Sequence, residues 1–181
     1  MSLLETVATH LRERNIPFAL IGATAMAVHG VSRSTGDIDL LSVSRECLSA
    51  AYWEPLKVKG VEVHIERGDA DDPLAGVVRL RSSGQPPLDL VVGKSAWQAN
   101  ILSRAAEATV EGARIPISDR ADLILLKLYA GGAQDAWDTV QLLESGERSV
   151  IIEEVEQRLA ELPEECRRLW ARIQSTGGAS A

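Results

Sequence analysis

Only two cysteines occur in 181 residues, Cys47 and Cys166, each alone and far from the other. A CxxC metal pair is thereby excluded and a disulfide framework disfavoured, so two buried, reduced thiols in a cytoplasmic protein are expected. Long apolar runs are also missing. None approaches the roughly eighteen residues of a membrane span, and the longest candidate, Phe18 to Val28, is broken by Gly22. The opening MSLLETVATHLRERN carries Glu5, Arg12, Glu13 and Arg14 with no basic segment leading into an apolar one, so it does not read as a signal peptide. Basic charge is in deficit: 19 Lys and Arg stand against 26 Asp and Glu, a net charge of -7. Such a chain has no general attraction for nucleic acid or anionic lipid, although a local basic groove is compatible with an acidic whole. Aromatic residues make up 4%. Trp53, Trp97, Trp137 and Trp170 are scattered and read as core or interface anchors.

What is present is an ordinary globular composition, 45% hydrophobic and 25% charged, in a chain long enough to bury roughly 70% of its unfolded surface. Ser2 with Glu5 makes a capping box, and Leu3, Leu4, Val7 and Leu11 recur at helical spacing behind it. Phe18 to Ile21 reads as a buried strand that Gly22 turns into a short helix, closed by His29 and Gly30. Further strands are expected at Asp37 to Val43, Val61 to Ile65, Val77 to Leu80 and Leu88 to Val92. A helix over Ser95 to Ala106 and a hairpin turning at Glu111-Gly112 follow. From Ser118, read as a cap, the pattern is helical: DRADLILLKLYA, a Gly131-Gly132 break, AQDAWDTVQLLE, and helices near 149–162 and 163–173. The expectation is an α+β fold, a mixed sheet with flanking helices over residues 1–117 and a helical part over 118–181, ending in a small polar tail.

The stretch IGATAMAVHGVSRSTGDIDLL places two aspartates inside an apolar strand. Alternation sends Asp37 and Asp39 to one face and Ile38 and Leu40 to the other. Neighbouring carboxylates repel unless a cation lies between them, and Mg²⁺ takes such hard oxygen ligands together with substrate phosphates. The rival reading is an acidic strand face meeting water. Upstream, Gly22 can take backbone angles closed to other residues and lets backbone approach a ligand. Thr24 is placed to cap a helix whose free amides attract phosphate. Downstream, Asp89 interrupts PLDLVVG, where a buried charge without a partner is costly.

These parts, Ile21-Gly22-Ala23-Thr24, then Asp37-Ile38-Asp39, then Asp89, resemble the signature of the nucleotidyltransferase superfamily with the DNA polymerase β-like fold. The later DLILLKLYAGGAQDAWDTVQLL is similar to its toxin-like branch, which includes AbiEii-type proteins of toxin–antitoxin systems. The resemblance implies that Asp37 and Asp39 bind Mg²⁺ or Mn²⁺ on a nucleoside triphosphate. It also implies that Asp89 binds a second ion near the attacking hydroxyl and helps deprotonate it, and that nucleoside monophosphate passes to the acceptor as pyrophosphate leaves. One position departs from the pattern: the usual second Gly or Ser is Ala23, so either Thr24 substitutes for the missing hydroxyl or catalysis is weakened.

Lys127 is open to two readings, a snorkelling surface lysine or the triphosphate contact that the resemblance suggests. Arg33 is either a solvated loop residue or a second phosphate contact. Asp135 and Asp138 start a helix, where acids meet the dipole favourably. His64-Ile65-Glu66 has the H-x-E spacing of zinc deaminases but no P-C-x-x-C follows it, which excludes that chemistry.

Two functions are thus expected to compete. One is a metal-dependent nucleotidyltransferase acting on RNA such as tRNA, on protein or on a small molecule, with an antitoxin as partner if the branch resemblance holds. The other is a catalytically weak module of the same fold that binds a partner protein. The three acids favour the first, and no membrane is involved.

Overall fold

A computed structural model of the chain describes residues 1–32 and 36–177. The first helix, α1 (Leu3–Glu13), starts where Ser2 accepts a hydrogen bond from the Glu5 amide at 3.1 Å. Strand β1 (Ala19–Ile21) runs into α2 (Gly22–Val28). Then come β2 (Ile38–Ser42), two single 3₁₀ turns over 45–53, the one-turn helix α3 (Glu54–Lys57), and strands β3 (Glu62–Arg67), β4 (Gly76–Arg81) and β5 (Leu88–Val92). Helix α4 (Ala96–Arg104) leads to the hairpin β6 (Ala106–Val110) and β7 (Ala113–Ile117). Four helices follow, α5 (Arg120–Ala130), α6 (Ala133–Glu144), α7 (Arg148–Leu159) and α8 (Glu164–Gly177). No helix among the described residues is long and apolar enough to cross a membrane.

The chain folds as two compact units, Met1–Ala25 with Arg33–Ser118, and Met26–Ser32 with Asp119–Ala181. The first holds a seven-stranded mixed sheet of order β3-β4-β5-β2-β1-β7-β6. Strands β2 and β5 are parallel, as are β1 and β7, while β1–β2, β3–β4, β4–β5 and β6–β7 are antiparallel. This is the expected α+β architecture. The hairpin turns where expected because Glu111 and Gly112 both take positive φ, 49° and 83°, the two-residue turn that matches strand twist.

Alternation sets the faces of the site-bearing half of the sheet. Ile38, Leu40, Val78, Leu80, Leu88 and Leu90 are buried on one side, while Asp39, Val77, Arg79, Asp89 and Val91 stay half-exposed on the other. The region 44–57, without periodicity in the sequence, is organised by Trp53. It is fully buried, its Nε1 donates to Cys47 O at 2.7 Å, and its ring stacks on His10 at 5.3 Å. His10 pairs through Nε2 with Tyr52 O at 2.9 Å and through Nδ1 with Arg14 at 3.1 Å. A guanidinium can only donate, so Nδ1 accepts and Nε2 carries the proton. Burial lowers the His10 pKa below its ordinary value, and Arg14 lowers it further. Both cysteines are free and buried, and burial pushes the Cys47 thiol up to about 12.

In the second unit, α5 packs on α6, α7 and α8. Its cap is Asp119, not Ser118 as the sequence suggested: the Asp119 carboxylate accepts from the Asp122 amide at 2.8 Å. Arg158 from α7 reaches Asp119 at 2.8 Å and buried Asp122 at 3.0 Å. Burial pulls the Arg158 pKa down, and the two carboxylates outweigh it, leaving the guanidinium held above its ordinary value. Trp53, Trp97 and Trp170 are buried, whereas Trp137 is 50% exposed.

Candidate active site

The turn from β1 into α2 is made by one residue, Gly22, at φ +66°. Two constraints select glycine there. The left-handed φ is strained for other residues, and a Cβ would collide with the Asp39 carboxylate, lying 3.0 Å from its Cβ and Cγ. The strand register explains the closeness, since Ile21 pairs with Asp39. Because the helix begins at Gly22 itself, Thr24 sits in its first turn instead of capping it, and Ala23 is buried.

Asp39 lies on β2 between buried Ile38 and Leu40, and the parallel ladder sets it directly opposite Asp89 on β5. Residues so paired share a face at the strand spacing of about 4.8 Å. The ladder continues one step further, where Ile38 N donates to Pro87 O at 2.9 Å, and exposed Asp37 stands two residues before Asp39. Two acids fifty positions apart in sequence therefore become neighbours, with the third just beyond the strand end. Among the described residues, no set of three or more His, Cys, Asp or Glu side chains converges as a ready-made metal cage.

The row of polar residues extends beyond the acids. Antiparallel pairing puts Arg79 on β4 opposite Asp89, and His64 on β3 opposite Arg79. Arg79 Nε lies 3.5 Å from Asp89 Oδ2, with side chains 40% and 28% exposed. Its Nη1 donates to Glu66 Oε1, and His64 Nε2 stands 3.4 Å from the same oxygen. Arg79 was not a candidate from the sequence, and Glu66 was weighed there only in the rejected H-x-E triplet. The V-R-L-R alternation shows that Arg79 and Arg81 share a face, but only the register reveals that Arg79 faces an acid.

Two candidates remain. Arg33 falls outside the described residues. Lys127 belongs to the second unit, where its Nζ binds Asp135 Oδ1 at 3.0 Å and Asp138 Oδ2 at 2.7 Å. The Lys127 side chain is only 14% exposed and that of Asp138 fully buried, so the ammonium ends in an ion-pair cluster and not in solvent. Asp135 also accepts from Gly132 N at 3.1 Å at the start of α6, and Gln134 donates to Asp138 at 3.1 Å.

The donor set suits a hard divalent cation: carboxylates only, adjacent on an open face, beside a turn that has no side chain in the way. The backbone architecture has counterparts among solved structures. The chain matches the solution structure of the antibiotic-resistance factor ANT(2'')-Ia with a TM-score of 0.56 and 17% identity over 98% of this chain and 96% of that one. It matches a crystal structure of a candidate nucleotidyltransferase from Thermotoga maritima with a TM-score of 0.54 and 12% identity, over 80% and 92% of the two chains. The fold is that of the nucleotidyltransferases. No family model and no curated protein matches the sequence.

Proposed function

We propose that the chain is a Mg²⁺- or Mn²⁺-dependent nucleotidyltransferase moving a nucleoside monophosphate from a nucleoside triphosphate to a hydroxyl acceptor. The observation that carries the reading is the in-register pair Asp39 and Asp89 on an open sheet face, with Gly22 fitted against Asp39. A water-facing acidic strand needs no glycine against its carboxylate and no second acid opposite it.

In this reading Asp37, Asp39 and Asp89 hold the ion. The first amides of α2, at Gly22, Ala23 and Thr24, are donors for the triphosphate. Arg33 is its cationic contact, whereas the Lys127 ammonium is taken up by Asp135 and Asp138 within the second unit. A bound divalent cation supplies charge neutralisation for the triphosphate and the departing pyrophosphate. Asp89 orients the acceptor hydroxyl and takes its proton. The acceptor oxygen forms a bond to the α-phosphorus, the bond from that phosphorus to the bridging oxygen breaks, and pyrophosphate leaves. The protein contributes position and charge, without a covalent intermediate.

The acceptor we favour is a small molecule. Alternation along the strands puts Asp39, Asp89, Glu62 and Glu66 on the site face with Arg79, Arg81 and His64, an excess of negative charge that repels a polyanion and suits a cationic or neutral substrate. ANT(2'')-Ia, whose fold the chain shares, is an antibiotic-resistance factor, a role compatible with such an acceptor.

The test is transfer from α-labelled nucleoside triphosphates, each of the four with Mg²⁺, to a fractionated cell extract. Label in the small-molecule fraction, absent with Asp39→Asn, is expected. Label in tRNA or protein would instead favour the AbiEii-type toxin with an antitoxin. No transfer and no triphosphate binding would leave the partner-binding module.

A further inference from the structure

Arg79 has two carboxylates within reach, and they are not equivalent. Asp89, at 3.5 Å from Nε, is a member of the acidic pair. Glu66, bonded to Nη1, lies on the next strand outward, away from that pair. Asp39 and Asp89 stand directly opposed, where like charges repel, and Arg79 offsets part of that repulsion. A dication between the two carboxylates does the same more strongly and draws on the same Asp89 oxygens. Arg79 can yield them at low cost. Its contact with Asp89 is long, its side chain is 40% exposed, and its fork already holds Glu66 by a different nitrogen.

We propose that Arg79 is the resident counter-ion of Asp89, that it competes there with the divalent cation, and that Glu66 is the seat that receives the guanidinium when Asp89 turns to the ion. The inference rests on the metal–nucleotide reading of the site and adds two positioning residues to it. Its consequence is a site that is charge-compensated when empty and releases a carboxylate only against a competing cation.

The test is calorimetric titration of the full chain with Mn²⁺ alone, at low salt and without nucleotide. Arg79→Met removes the competitor, and Mn²⁺ affinity rises about fivefold, the size of one half-exposed ion pair. Glu66→Gln leaves the guanidinium on Asp89, and affinity falls by a similar factor. Charge alone would give those two signs, so the double variant decides. If Glu66 acts by seating Arg79, Arg79→Met with Glu66→Gln binds Mn²⁺ as tightly as Arg79→Met, because no guanidinium remains to be seated. A double variant that returns to wild-type affinity means two independent charges and overturns the hand-over while leaving the metal site intact. Wild-type protein that binds no Mn²⁺ sensitive to Asp39→Asn overturns the site reading and this inference together.

Discussion

The chain has two clusters in which aspartates meet a cationic side chain, and they differ in every physical respect but composition. Around Lys127, Asp138 is fully buried, both acids are ion-paired at 2.7 and 3.0 Å, and Gln134 and the Gly132 amide add hydrogen bonds. On the open face of the sheet, Asp39 and Asp89 stand side by side, with Arg79 3.5 Å from Asp89 and half-exposed. The first cluster is closed by its own groups, as a buried ionic group must be if it is to survive desolvation. The second is crowded with like charge and open to solutes. A fold can carry the first for stability alone, whereas the second suits the proposed ligand that brings positive charge.

The comparison is broken most forcibly at Lys127. Lys127→Met strands Asp138 in the interior without its cation and is expected to cost about 3–5 kcal/mol of unfolding free energy, read by urea denaturation. A loss below about 1 kcal/mol would show that the cluster is not structural. Gly22→Ala comes next, because φ +66° and the Asp39 carboxylate both oppose a methyl group. The expected loss is about 1–3 kcal/mol, with nucleotide binding impaired alongside it. A variant of wild-type stability would mean that the turn relaxes freely.

A smaller effect comes from pH at His10, remote from both acidic clusters in sequence. Its folded pKa lies below the ordinary 6.5 through burial, so the unfolded chain binds the proton more readily. The stability it contributes is full above pH 6.5 and is lost as pH falls below that value toward the depressed folded pKa. The melting temperature of wild type should therefore drop between pH 7 and pH 5 more than that of His10→Gln. Equal slopes would remove His10 as the cause.

Much of this was legible in the sequence, and what was not has a common cause. Strand β5 and helix α6 were readable at their observed limits, because Leu88–Val92 lies between a Pro pair and Gly93, and Ala133–Glu144 follows the Gly131-Gly132 break. The hairpin was readable because Glu111-Gly112 matches the chemistry of its turn. The cap of α5 was misplaced by one residue, since Ser118 and Asp119 are both good caps and only the Asp119 contact to the Asp122 amide separates them. The turns over 45–53 follow no period and depend on the burial of Trp53. Pairing register is the larger omission. Local pattern can say that Asp39 and Asp89 interrupt apolar strands, but it cannot put one opposite the other or set Arg79 beside them.

The central claim, that the open pair is chemical and the closed cluster structural, is tested most directly by the rate of nucleotide transfer in Asp89→Asn. The substitution keeps the shape of a half-exposed side chain and removes one of two repelling charges, so the fold should hold within about 0.5 kcal/mol. Transfer from α-labelled triphosphate should fall on the order of 100-fold or more. A variant that labels the acceptor as fast as wild type does would contradict the account.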